Sequence, residues 1–113
     1  MNLKYHKTLT AEKWTGFIFS KQILMIANEL NRAGNWIKKK DYAESKLCYE
    51  RAFELLFLTI EALKEKRKLR ELLRFKEMLA KLYICDAPPI KQNSDLFRTL
   101  LSLDKDSFLA VER

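Results

Sequence analysis

Few residues in this 113-residue chain have the types and spacing that catalysis or metal binding requires. His6 is the only histidine, so one chain can form neither a histidine-based triad nor an imidazole metal cluster. Glu50 and Glu54 lie four residues apart, as paired carboxylates of a metal site in a helical bundle would, but no histidine accompanies them. We therefore expect both glutamates to be solvated charges beside the core and His6 to be exposed.

The two cysteines also lack the context of a reactive site. Cys48 and Cys85 are far apart in sequence and do not form a C-x-x-C motif. Cys85 has no general base near it in the sequence that could activate its thiol. We therefore expect both cysteines to be reduced and unreactive. Without an acid–base, nucleophile or ligand arrangement, the sequence predicts a protein that is not an enzyme and that uses no metal or other cofactor.

A basic segment from residue 64 to residue 76 is the strongest feature outside the predicted core. It contains seven lysines and arginines and two glutamates, and Arg67, Arg70 and Arg74 follow the i, i+3, i+7 spacing of one helical face. Arginines along a helix suit contacts with phosphate groups. A solvated helix face is the alternative, because no outward aromatic residue is available for base stacking. The candidate contacts with an anion or nucleic acid are Lys64, Arg67, Lys68, Arg70 and Arg74.

The net charge of +7 suits an anionic partner, and it is equally an ordinary means of remaining soluble. If three helices run up, down and up, Lys4, Lys7 and Lys13 lie at the end where residues 64–68 turn. Lys38–Lys40 then lie at the opposite end. The basic surface is therefore expected to be divided in two.

A smaller polar cluster lies late in the first predicted helix. Its members could satisfy helix ends or bind a small ligand, although no small-molecule substrate is evident; they are Asn28, Glu29, Asn31, Arg32 and Asn35.

Neither the first residues nor the longest apolar stretch indicates secretion or membrane insertion. The start is polar and basic and is not followed by an apolar segment, so no signal peptide is predicted. The apolar stretch from Trp14 to Ala27 is interrupted by Ser20-Lys21-Gln22 and is shorter than the about 20 residues that cross a bilayer. We expect a cytoplasmic protein without a membrane span.

Composition and length favour one all-α domain over residues 1–113. The chain has a mass of 13.4 kDa and is 48% apolar, which suffices for one core. Only two glycines are present, too few for the turns of a sandwich, a barrel or a phosphate-binding loop. The predicted architecture is an antiparallel bundle of three main helices and a short fourth, with residues 1–10 as an N-terminal arm.

Apolar periodicity and capping residues predict the helix positions. Helix 1 spans about 11–39 after a Thr10 cap, with Gly34 as an earlier alternative end. Helix 2 spans about 41–63 and begins with Asp41 and Glu44, which have the form of a capping box. A turn at residues 64–68 precedes helix 3, at about 68–84.

Pro88-Pro89 is expected to end helix 3. A short helix at about 94–103 follows, capped by Ser94-Asp95, and Phe108–Val111 could form a last turn. The C-terminal segment 85–113 is expected to pack on the bundle or on a partner.

Helix 1 has more apolar residues than one buried stripe requires. Leaving such side chains in water is costly, so either the C-terminal segment or a second copy of the chain is expected to cover them. The candidate partner or dimer surface consists of Trp14, Phe17, Ile18 and Met25.

Residues 41–55 resemble the second helix of a tetratricopeptide repeat. Such repeats carry an Asp-Tyr start, an aromatic residue seven positions after the tyrosine and an alanine three positions further; Tyr42, Tyr49 and Ala52 occupy these places. Lys40 replaces the usual turn glycine. The match occurs once, and because a single repeat cannot bury its own face, an array of repeats is not expected.

The chain also resembles MIT (microtubule-interacting and transport) domains, in which a third helix follows a helical hairpin. The residues similar to that third helix are Leu73-Arg74-Phe75-Lys76, Leu79, Ala80 and Leu82. The resemblance implies a groove that docks short peptide helices, without catalysis.

Taken alone, the sequence predicts a cytoplasmic protein-interaction or structural module that could self-associate as a homodimer. The alternative function is a basic nucleic-acid-binding accessory protein. Phosphate binding should weaken strongly with salt, whereas binding in an apolar groove should not.

Overall fold

The computed structural model describes residue 6 and residues 10–104, and within them the chain forms helices and no strand. The predicted all-α class is confirmed. Lys4, Lys7 and the predicted turn at Phe108–Val111 lie outside the described residues. The helices are α1 (Ala11–Thr15), α2 (Phe19–Lys38), α3 (Tyr42–Ala62), α4 (Lys66–Tyr83) and α5 (Ile90–Ser102).

The four longer helices form a closed ring of neighbours. Each of α2, α3 and α4 contacts the next helix in the chain, α5 returns to contact α2, and α1 lies on α3. Successive helices are antiparallel. Glu29 and Arg51, which lie equally far along the chain from the turn between α2 and α3, meet each other, and Tyr83 at the end of α4 meets Glu50 in the first half of α3. This is an up-down-up-down arrangement, in which α5 contributes as a full fourth helix.

The predicted first helix is in fact two helices. The chain breaks at Gly16–Ile18, and Gln22 Nε2 donates hydrogen bonds to the carbonyl oxygens of Trp14 (2.9 Å) and Phe17 (3.2 Å). The break lets α1 turn the Trp14 ring into the core, where its Nε1 donates to Thr59 Oγ1 at 2.9 Å. Continuous apolar spacing concealed this interruption.

Local backbone conformation and capping determine where α2 ends and α3 begins. The later predicted end of helix 1 is confirmed, because α2 ends at Lys38 and Lys40 takes a φ of 60°. The Asp41 side chain then accepts a hydrogen bond from the Glu44 backbone N–H at 3.2 Å, so the predicted cap is present. Thr10 likewise caps α1 by accepting from the Lys13 N–H at 3.1 Å.

The C-terminal helix starts earlier than expected. It begins at Ile90 after Pro89, so Ser94 and Asp95 lie inside α5 and do not cap it. Proline fixes a φ suitable for the residue before a helix and needs no hydrogen-bond acceptor there. The preceding helix α4 ends at Tyr83, ahead of the two prolines.

The core lies inside the ring. Its fully buried residues include Tyr49, Phe75 and Leu100 from three different helices. Asn93, also buried, accepts a hydrogen bond from Tyr49 Oη at 2.7 Å and donates one to the Leu30 carbonyl oxygen at 3.0 Å. This side chain thereby joins α5 to α2 and α3.

Candidate interaction surfaces

The arginines of α4 lie on its outer face, opposite the buried Leu72, Phe75 and Leu79. Arg70 and Arg74 have no carboxylate within ion-pair distance among the described residues, whereas Arg67 Nε lies 3.8 Å from Glu71 Oε1. The helix carries seven lysines and arginines against two glutamates. Its outer face is therefore a region of positive potential that is open to a partner.

Two of the predicted anion contacts differ from this pattern. Lys68 Nζ lies 4.6 Å from the centre of the Phe19 ring and 3.4 Å from Glu65 Oε2, so its charge is already engaged. Lys64 is exposed in the turn between α3 and α4. The members of the predicted set without a carboxylate partner among the described residues are thus Lys64 in the turn and Arg70 and Arg74 on the helix.

The positions of the helices place Lys13 and Lys38–Lys40 at opposite ends of the bundle, as expected from an up-and-down topology. Lys68 contacts Phe19 at the start of α2, and Trp14 of α1 contacts Thr59 near the end of α3. Lys13 therefore lies at the end of the bundle where α4 begins. Lys38–Lys40 lie at the opposite end, where α2 turns into α3.

An apolar groove separates α3 from α4. It has a volume of about 180 Å³ and is lined by Phe53, Glu54, Leu56, Phe57 and Lys76. Phe57 is 39% exposed, and on α4 Leu73, one helical turn before Lys76, is 42% exposed. Two large apolar side chains on neighbouring helices are thus partly exposed, and the nearby Lys76, Arg70 and Arg74 have no carboxylate partner among the described residues.

A second groove lies between α4 and α5. Its floor is apolar and its rim carries both charges; it encloses about 260 Å³ and is lined by Met78, Leu82, Leu96, Lys81, Asp95 and Thr99, among others. The opposite charges of Lys81 and Asp95 give this groove no clear preference for an anion or a cation.

The structure corrects the predicted partner surface at Trp14. This side chain is 0% exposed and bonded to Thr59, so it belongs to the core. Phe17 is half-buried and packs edge-on against Trp14 with ring centres 5.9 Å apart, and Met25 is half-buried against the core. Of these four predicted residues, only Ile18, which is 73% exposed, lies mostly in solvent. The sequence predicted that either the C-terminal segment or a second copy of the chain would cover the extra apolar residues of helix 1. The C-terminal segment does so, since α5 packs on α2.

The predicted roles of His6 and Glu54 are wrong. Glu54 is buried, and its Oε2 accepts from the His6 backbone N–H at 3.2 Å and lies 2.7 Å from His6 Nδ1. Glu50 instead accepts a hydrogen bond from Tyr83 Oη at 2.8 Å. The two glutamates thus have different partners and do not converge on one site, and no cluster of metal-ligating side chains occurs in the part of the chain that the structure describes.

The polar cluster of α2 separates into two parts. Glu29 is buried and pairs with Arg32 and Arg51, each at 2.9 Å, so this part holds α2 to α3. Asn31 and Asn35 instead line a groove between α2 and α5.

Cys48 is a structural residue of the same region. It is buried beneath Arg51, whose Nη2 lies 3.2 Å from the sulfur. Burial raises the pKa of the Cys48 thiol above its usual value, an effect that Arg51 partly opposes. The thiol form is therefore favoured, which lowers its reactivity as a nucleophile.

Asn93 is a buried polar residue whose role sequence reasoning missed. Its neighbours in sequence are polar and no motif surrounds it. Only the three-dimensional approach of Tyr49 and Leu30 shows its importance.

None of the helices within residues 10–104 combines the length and apolar content needed to cross a membrane. Comparison of the chain with protein-family models, curated proteins and solved structures finds no match.

Proposed function

We propose that this chain is a small helical protein-interaction module without catalysis. Its partner is an acidic, amphipathic helical segment of another protein. It binds on the α3–α4 surface, defined by Phe57, Leu73, Lys76, Arg70 and Arg74. The observation that carries the proposal is the exposure of Phe57 and Leu73 beside cations that have no carboxylate partner among the described residues.

The chemistry of this surface matches helix-in-groove recognition. A partner helix would insert apolar side chains between Phe57 and Leu73, and burial of such area contributes about 25 cal/mol per Å². Carboxylates along the edges of that helix would meet Lys76, Arg70 and Arg74, and these charges would set orientation and association rate. The role of the third helix in MIT domains, which this chain resembles, supports the same assignment.

The proposal extends to the cytoplasm as the site of action. The two cysteines are unpaired, and unpaired thiols are usual in a reducing compartment.

Capture from a lysate of the source cells tests the proposal when surface variants are compared. Leu73→Glu places a negative charge on the α3–α4 surface, and Ile18→Glu makes the same change at an exposed apolar residue elsewhere. We expect a protein partner whose capture survives nuclease treatment, falls at least tenfold with Leu73→Glu and persists with Ile18→Glu. Equal capture by both variants, or loss with Ile18→Glu alone, would refute the assignment.

The same variants also test whether the chain binds a second copy of itself. Light scattering of the purified chain measures its mass directly. A dimer that Leu73→Glu dissociates would show that a second copy occupies the surface in place of an acidic partner.

The second candidate function is binding of nucleic acid through the outer face of α4. The exposed and unpaired Arg70 and Arg74 favour it. In that case nuclease removes the captured material, and the double substitution Arg70→Gln/Arg74→Gln removes binding to a single-stranded oligonucleotide.

A further inference from the structure

The groove between α2 and α5, here called the α2–α5 groove, gathers polar groups that the proposed function does not use. The side chains of Asn31, Asn35 and Lys38 reach it from α2, and those of Ser94 and Arg98 reach it from α5. None of these five side chains makes a hydrogen bond or ion pair within the described residues. The sequence is compatible with either a structural or a binding role for Asn31 and Asn35.

The shape of this groove is fixed by a close approach of the two helices. Gly34 lies where a Cβ atom would stand 2.9 Å from Asn93 Nδ2 and 3.5 Å from Ile90 Cδ1. Asn93 cannot easily withdraw, because Tyr49 and Leu30 hold both ends of its amide. The helices therefore pack closely at Gly34, and the polar side chains line the groove beside this contact.

The charge of the groove is one-sided. Lys38 and Arg98 line it, and no aspartate or glutamate does. The α4–α5 groove differs, since Lys81 is accompanied there by Asp95. Two cations without counter-charges, together with amide and hydroxyl groups, favour an anion with several acceptor oxygens.

The remaining lining residues add an apolar wall. Leu30, Ile90 and Phe97 lie beside the polar groups, and the groove has a volume of about 200 Å³. This is below the roughly 300–1,000 Å³ typical of sites for drug-sized ligands. The volume suits a compact molecule that combines one anionic group with a small apolar portion.

We propose that the α2–α5 groove binds a small organic anion, a carboxylate or phosphate monoester. Its charged group is held by Lys38 and Arg98, and its apolar part contacts Phe97 and Ile90. Asn31, Asn35 and Ser94 supply hydrogen bonds at the edges. This site is independent of the α3–α4 surface and lies on other helices.

Titration of the ¹⁵N-labelled full chain with phenyl phosphate tests the site by NMR. We expect saturable shifts of the amide signals of Asn31, Gly34, Asn35 and Ser94. Benzyl alcohol, which keeps the ring and lacks the charge, should bind at least tenfold more weakly than phenyl phosphate. Inorganic phosphate, which lacks the apolar part, should also bind more weakly.

Three variants locate the binding. Lys38→Gln and Arg98→Gln should each raise the dissociation constant for phenyl phosphate at least fivefold, whereas Lys66→Gln, an equal loss of charge at the exposed start of α4, should leave it unchanged. Thermal melts of each variant confirm that the exposed substitutions leave the fold intact.

Shifts distributed over all basic surfaces would overturn the proposal. So would a dissociation constant that is unchanged in the Lys38→Gln/Arg98→Gln double variant. Either result would concern this groove alone, since the capture experiment on the α3–α4 surface measures a separate property.

Discussion

Single polar residues align the helices of this protein. Asn93 connects α5 with α2 and α3, Glu29 connects α2 with α3 through Arg51, and Thr59 holds the indole of Trp14. Each of these side chains is buried and has its partner. A buried polar group costs free energy when it loses that partner, so such residues favour one alignment over its neighbours.

Replacement of Asn93 tests this role. Asn93→Ala leaves Tyr49 Oη and the Leu30 carbonyl oxygen without their partner. We expect the free energy of unfolding, measured by urea denaturation, to fall by about 3 kcal/mol, since each orphaned buried group costs about 1–3 kcal/mol. Asn28→Ala, at an exposed position of α2, is the matched control and should change it by less than about 0.5 kcal/mol. Equal effects of the two substitutions would contradict this account.

Lys40 offers a prediction of the opposite sign. Its φ of 60° lies in the left-handed region. This conformation costs a residue that has a Cβ atom about 1–2 kcal/mol of free energy, and it costs glycine almost nothing. Lys40→Gly should therefore raise the unfolding free energy by about 1 kcal/mol. Lys39→Gly, where φ is −87°, should lower it. A stabilisation by both substitutions would show that the removed charge is the cause.

Residues whose role is local were predictable from the sequence, and residues whose role depends on distant partners were not. The caps at Thr10 and Asp41 act within three residues, so their motifs suffice. Trp14 and Glu54 were predicted to be a partner-surface residue and a solvated charge, and both are buried by segments distant in sequence. Asn93 has no local signal at all.

At the scale of helices, α5 determines whether the bundle is complete. It supplies Leu96, Leu100 and Leu101 to the core and covers apolar side chains of α2 and α4. Without α5, the apolar excess that the sequence shows in its first helix would face water. The docked C-terminal segment is therefore part of the fold.

Removal of this helix is expected to abolish cooperative folding. Burial of each leucine contributes about 1.5–3 kcal/mol, so the loss of three is comparable with the whole stability of a small domain, about 5–15 kcal/mol. A chain cut after Ala87 should show no cooperative thermal transition and should associate on size-exclusion chromatography. An unchanged melting curve would mean that α5 covers nothing important.

A single substitution in α5 measures its contribution in a chain that still folds. Leu100→Ala should reduce the unfolding free energy by about 2–5 kcal/mol through the cavity it creates. Lys91→Ala, at an exposed position of the same helix, should have little effect.

Element types were predictable from periodicity, and two boundaries were not. The break at Gly16–Ile18 was missed because apolar residues continue through it. It is stabilised by hydrogen bonds that Gln22 of α2 donates back to the carbonyl oxygens of Trp14 in α1 and Phe17 in the break. The start of α5 was misplaced because Ser94-Asp95 resembles a cap, although Pro89 precedes the helix. In the first case side-chain contacts between α1 and α2 outweighed the apolar pattern, and in the second the local signal of Pro89 outweighed that of Ser94-Asp95.

For the whole molecule, the arrangement of charge separates the two candidate functions. Lys13 lies at one end of the bundle and Lys38–Lys40 lie at the other, whereas the unpaired Arg70 and Arg74 lie on the outer face of α4 between these ends. A nucleic-acid strand that lies along the arginine face of α4 would meet chiefly Arg67, Arg70 and Arg74. This geometry predicts weak electrostatic binding, secondary to contacts with the apolar α3–α4 surface.

The salt dependence of oligonucleotide binding tests that interpretation. About three contacts between arginine and phosphate predict a slope near −2 for a single strand, so a rise from about 50 to about 200 mM salt should lower the binding constant roughly 16-fold. Fluorescence anisotropy with a labelled single-stranded DNA measures this slope. A slope of about −5 or steeper would require seven or more phosphate contacts and would favour the nucleic-acid function.

The central claim is that a protein partner lies on the α3–α4 surface. Photocrosslinking measures this most directly, with a benzophenone side chain at position 73 or at position 18 of the full chain in nuclease-treated lysate. We predict one crosslinked protein from position 73 and none from position 18, and competition by excess unlabelled chain but not by its Phe57→Glu variant. Crosslinking from position 18 alone, or equal yields from both positions, would contradict the account.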